Sequence, residues 1–76
     1  MNKIYLVMYY NVEEEDYNYW GVYTSLENAM KSLPEHCNDA INENDRMWIE
    51  SCEVNGTKQR IEVENRTVTE WRKELS

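Results

Sequence analysis

RMWIESCEVNGTKQRIEVE, residues 46–64, decides the fold. Asn55-Gly56 stands between two runs of alternating side chains, and both residues tolerate the positive φ angles of a two-residue hairpin turn. A turn that short fixes the register, so the run predicts strands over residues 46–54 and 57–64. Val54 then opposes Thr57, Cys52 opposes Gln59, Glu50 opposes Ile61 and Trp48 opposes Val63. On the other face Glu53 meets Lys58 and Ser51 meets Arg60. The first face is mostly apolar and is expected to be core, with Trp48 in it. Glu50 is its odd member, and it belongs either at the edge of the core or beside a cation such as Arg72 or Lys31.

Upstream, residues 3–10 alternate Ile4, Leu6 and Met8 with Tyr5, Val7 and Tyr9, the period-2 pattern of a strand. Residues 19–23 read as a second, shorter strand. Ile4, Leu6, Met8, Trp20 and Val22 are expected to face the core, which leaves Tyr5, Tyr9, Tyr19 and Tyr23 on an open face. Between these strands Glu13, Glu14, Glu15 and Asp16 repel one another and read as a long solvated loop.

Each hairpin is followed by a helical signal. Thr24 with Glu27 fits a capping box, and Leu26, Ala29, Met30 and Leu33 then recur at helical spacing. Pro34 predicts a kink or a division into two short helices, with Cys37, Ala40 and Ile41 continuing the apolar stripe. Thr67 with Glu70 repeats the box, and Val68, Trp71 and Leu75 form the buried stripe of a C-terminal helix. The expected fold is therefore α+β, a single domain over residues 1–76 in the order β-β-α-β-β-α. Its four-stranded, mainly antiparallel sheet would carry both helices on one face.

Composition bounds the function. A chain of 76 residues has a small core, hiding only roughly 60% of the surface its unfolded form exposes. Fifteen Asp and Glu against eight Lys and Arg leave a net charge of −7, which disfavours direct nucleic-acid and membrane binding and favours basic partners. No apolar stretch is long enough to span a bilayer, so a cytoplasmic protein is expected. Cys37 and Cys52 lack zinc spacing and read as reduced thiols. Asn42 to Asp45 departs from a calcium loop in lacking its glycine and fifth acidic ligand. His36 and Cys37 are sequence neighbours on a helix and point in different directions, which does not make a nucleophile and its base. With no phosphate loop and no metal-spaced histidines, the chain is read as a non-enzyme without cofactor or metal.

The stretch GVYTSLENAMK, residues 21–31, resembles an element of small uncharacterised phage and bacterial domains, in which an opening strand and then G-[VI]-[YF]-[ST]-S-x-E-x-A lead into a helix. The likeness covers residues 1–33 and implies a strand-to-helix fold and a phage or bacterial setting. Its residues Gly21, Thr24, Ser25, Glu27 and Ala29 are accounted for by turn, cap and packing roles.

These readings converge on a small acidic protein-binding domain, an inhibitor or adaptor. Its partner would be a larger host protein with a basic surface, of the kind that holds nucleic acid, blocked by acids that mimic phosphates. The expected contact residues are Tyr9, Glu13, Glu14, Glu15, Asp16, Tyr17, Tyr19 and Tyr23, because tyrosines bring contact area at low entropy cost. Homodimerisation is compatible with the same surface. A domain that sequesters a nucleotide-like ligand between aromatic rings, and a structural module without specific chemistry, are the alternatives.

Overall fold

The computed structural model describes residues 2–56 and 58–76. The chain runs through β1 (Lys3–Asn11), β2 (Asp16–Tyr23), α1 (Leu26–Asp39), β3 (Arg46–Glu53), β4 (Gln59–Thr67) and α2 (Val68–Leu75). The four strands form one antiparallel sheet in the order β2-β1-β3-β4, so the first strand of each hairpin is central. Both helices pack on one face. Ala29, Leu33 and Cys37 of α1 and Val68 and Trp71 of α2 meet Val7, Tyr9, Met47 and Ile49 of the sheet. The expected α+β order and one-sided helical layer are those of the structure.

The expected core face is reversed. Tyr5, Val7 and Tyr9 pair across the sheet with Ser51, Ile49 and Met47, and this set lies under the helices. Ile4, Leu6 and Met8 lie on the opposite face with Cys52, Glu50 and Trp48. On β1 either set is bulky enough to make a core, so β3 decides. Met47, Ile49 and Ser51 hold no charge, whereas the alternate set contains Glu50, whose carboxylate under two helices would need a buried partner. Trp48 is therefore on the uncovered face, and Glu50 is paired with neither Arg72 nor Lys31. Its partner is the Trp48 indole, whose Nε1 donates to Glu50 Oε2 at 2.6 Å.

A bulge reshapes β2. Val7 opposes Gly21 but Met8 opposes Tyr19, which leaves Trp20 as the extra residue. Trp20 turns toward the helices and stacks on Tyr9, with ring centroids 3.8 Å apart and planes 6° from parallel. Gly21 is a strand residue, not a turn residue. A Cβ there would sit 2.6 Å from the ring of Tyr23, which folds back across it.

Register in the second hairpin follows expectation for Cys52 with Gln59, Ser51 with Arg60 and Glu50 with Ile61. It then slips, and Ile49 rather than Trp48 opposes Val63, which brings Val63 against the core. The expected Val54–Thr57 pair lies outside the described residues. Neither Asn55 nor Gly56 has positive φ. Instead Gly56 N donates to Glu53 O at 3.1 Å, so the reversal centres on Val54 and Asn55. It starts early because Val54 N is held by Asn2 O at 3.0 Å.

Caps set the helix starts. For α2 the expected box is complete, with Glu70 N donating to Thr67 Oγ1 at 3.1 Å and Thr67 N to Glu70 Oε1 at 2.9 Å. Thr67 N and Thr67 Oγ1, both donating to Glu70 Oε1, hold the Glu70 carboxyl below its usual pKa. For α1 the cap is Ser25, not Thr24, and its Oγ accepts from Asn28 N at 3.1 Å. Pro34 sits on the exposed side of one 14-residue helix, which is not divided. The helix ends at the Ala40 cap, beyond which Ile41 is 99% exposed and leaves the apolar stripe. Arg72 closes this end, its guanidinium donating to Cys37 O at 2.9 Å and Ala40 O at 3.3 Å, where the helix carbonyls attract a cation. Among the described residues no helix is long and apolar enough to cross a membrane.

Candidate protein-docking face

Strand alternation and the β2 bulge together assemble the face of the sheet that no helix covers. Pairing sets out its rows: Val22, Leu6, Glu50 and Ile61 form one, Tyr19, Met8 and Trp48 the next, and Tyr17, Tyr10 and Arg46 a third. Without the extra residue at Trp20, Tyr19 and Tyr17 would fall on the helix side. The bulge thus supplies the face with its aromatic edge.

This face is unusually apolar for an uncovered one. Tyr17 is 63% exposed, Tyr19 62%, Val22 52% and Ile61 64%, and all four share it. Trp48 is only 9% exposed, although it is not part of the cluster beneath the helices. Leu6, Met8, Tyr17, Tyr19, Trp48, Glu50 and Gln59 line an open depression of about 500 Å³. Large exposed apolar side chains gathered on one face of a small chain make that face a candidate contact surface.

Charge is polarised along the strands. At one end the turn carries Glu13, Glu14 and Glu15, with Asp16 opening β2, all exposed. At the other, Lys3, Lys58 and Arg60 line a crevice together with Glu53. The exposed Glu27, Glu35 and Asp39 belong to α1, on the opposite layer of the molecule. The turn acids lie at the Tyr17 end of the apolar face, and Glu50 lies within it.

That turn is not the long free loop expected. Strand β1 extends to Asn11, whose Oδ1 accepts from Glu13 N at 3.0 Å and Glu14 N at 3.1 Å. Val12 N donates to Asp45 Oδ1 at 3.0 Å, and Asn42 Nδ2 reaches Glu13 Oε1 at 3.5 Å. Glu15 closes the reversal in the left-handed region, with φ of 53°. Repulsion among the acids is thus held in a fixed shape.

Of the expected contact residues, Tyr17, Tyr19 and the four acids are exposed where a partner can reach them. Tyr9 and Tyr23 are not. Tyr9 is buried in the core, its hydroxyl donating to Asp45 Oδ2, and burial, then that bond, raise its pKa above the usual phenol value. Tyr23 is half-buried on the helix side, its hydroxyl 3.1 Å from His36 Nε2. Burial lowers the His36 pKa despite the nearby Glu35 and Asp39. Cys37 is enclosed in the core, which raises its thiol pKa.

Leu6, Met8, Val22, Trp48 and Ile61 share the uncovered face with Tyr17 and Tyr19, Val22 and Ile61 being the exposed ones. The signal that could have found them was Glu50, whose charge marks its own face of β3, and through pairing the even-numbered face of β1, as the uncovered one. Comparison of the chain with protein-family models, with curated proteins and with solved structures finds no match.

Proposed function

We propose that the chain is a protein-binding domain, an inhibitor or adaptor, that docks its uncovered sheet face on a basic surface of a larger protein. The observation that supports this reading is the exposed apolar set of Tyr17, Tyr19, Val22 and Ile61 bordered by the acidic turn. Apolar area gives such a contact its lifetime, whereas exposed charge steers the encounter. A net charge of −7 selects partners of opposite sign.

Capture from a bacterial lysate at low and high salt tests this, with Tyr19→Asp and Ile61→Asp as face variants and Glu35→Gln as a control on the helix layer. A protein retained by the parent and the control but lost by both face variants supports the reading. Equal retention by all four refutes it. With the captured partner in hand, neutralising Glu13, Glu14, Glu15 and Asp16 should slow association and flatten its salt dependence. Tyr19→Ala should instead speed dissociation.

A further inference from the structure

We infer that the depression on the uncovered face receives an arginine side chain of the partner, an assignment that rests on the docking reading above. Tyr17, Tyr19, Trp48 and Glu50 converge there. Aromatic rings beside a carboxylate are what a guanidinium needs, faces to stack on and an acceptor for its forked donors.

Glu50 is half-buried and takes part in no ion pair among the described residues. Oε2 is occupied by the Trp48 indole, and no described hydrogen bond reaches Oε1. The indole bond also fixes the carboxylate plane, so Oε1 is held ready rather than swinging free. Among the described residues no cation pairs with it. Arg46, a neighbour on the same face, gives Nε to Asn65 Oδ1 at 2.6 Å and Nη2 to Asn65 O at 3.3 Å. Arg72 pairs with Glu43 at 3.0 Å, and Arg66 with Glu64 and Glu74. A half-buried acid without a cation, on the face expected to meet a basic surface, is completed by one from outside. Arginine fits better than lysine, because its planar group is weakly hydrated and stacks, whereas ammonium carries its hydration shell more tightly.

The probe is acetyl-Gly-Arg-Gly-amide, titrated into the full 15N-labelled chain beside its citrulline and lysine counterparts. The arginine peptide should shift the Trp48 indole N–H and the amides of Met8 and Tyr19 saturably, and the citrulline peptide should not. Glu50→Gln retains an oxygen for the indole and so keeps the fold, but should weaken binding roughly tenfold or more, as expected for loss of a charged hydrogen-bond acceptor. Shifts confined to residues 13–16, equal shifts with citrulline, or equal affinity for lysine would each overturn the arginine assignment. The docking reading fails separately. A captured partner held equally by the parent and Glu50→Gln, yet lost by Tyr19→Asp, removes the arginine pocket and leaves the docking face in place.

Discussion

Asp45→Ala should be the most informative single change to the fold. The side chain is 2% exposed and its two oxygens accept from Tyr9 Oη and from Val12 N. Its backbone is also engaged, with Val68 N donating to Asp45 O at 2.8 Å, so one residue joins the first turn, the core and the start of α2. The substitution leaves the backbone bonds but strands the Tyr9 hydroxyl beneath Trp20. Losing a hydrogen bond to a charged group and leaving a buried donor unsatisfied costs about 3 kcal/mol. Val12 lies in a half-exposed turn where water can replace the lost acceptor, so it adds little. For a domain of this size each kcal/mol moves Tm by roughly 4–8 °C, which predicts a fall of roughly 12–24 °C. Thermal unfolding followed by circular dichroism measures it, and hydrogen exchange should show Val12 losing protection as well. A melting temperature within about 2 °C of the parent would refute the structural role given to this carboxylate.

Other expectations concern pH, caps and the two large indoles. Tyr9 keeps its proton in the fold above the pH at which the unfolded phenol loses it, so its contribution is complete below about pH 10 and declines as pH rises beyond that. Tyr9→Phe should flatten that alkaline decline in urea titrations, and an unchanged slope would count against the buried phenol. Ser25→Ala should lose about 1 kcal/mol by chemical denaturation while Thr24→Ala loses almost nothing, because only Ser25 caps α1. The reverse order would restore Thr24 as the cap. Trp71→Ala should cost about 3–5 kcal/mol, since it empties an enclosed site and orphans Met47 O, to which its Nε1 donates at 2.8 Å. Trp48→Ala should cost less, because the vacated site opens to solvent and traps no void. Equal losses would place Trp48 in the enclosed core after all.

What could be read in the sequence, and what could not, follows from which interactions are local. The α2 capping box joins residues three apart and the alternation of β1 is a property of one segment, so both were legible. The Asn55-Gly56 signal gave the hairpin and much of its register. The detail of the turn was set by Asn2, a residue more than fifty positions away in the chain. The bulge at Trp20 depends on Tyr9 offering a ring to stack on, a contact invisible until β1 and β2 are paired. Which face of β1 lies under the helices was hidden for a related reason. Ile4, Leu6 and Met8 are as apolar as Tyr5, Val7 and Tyr9, and only pairing with β3 distinguishes them. Two site residues, Tyr9 and Tyr23, were misplaced by that ambiguity, while Tyr19 is on the open face as expected and Tyr17 joins it there, both because the bulge reverses the alternation.

Two apolar faces on one sheet are a liability in a small domain. One is enough for the core, and the second invites association, whatever its partner. In this chain the second face is coupled to features that restrain indiscriminate contact. The net charge of −7 makes copies repel at long range. The acidic turn lies beside the apolar rows and is fixed by Asn11 and Asp45 rather than left to move. Both features weaken attraction to a like-charged surface and strengthen attraction to a basic one. A surface that is adhesive at short range and charge-selective at long range distinguishes partners before contact as well as after it. Neutralising the four acids should therefore slow binding to the proposed basic partner and, at the same time, increase self-association at high protein concentration. Analytical ultracentrifugation of the neutralised variant at low salt reads the second effect directly. A variant that associates no more than the parent at every concentration would mean that the turn does not restrain self-association, and would leave its acids only the proposed role in steering a partner.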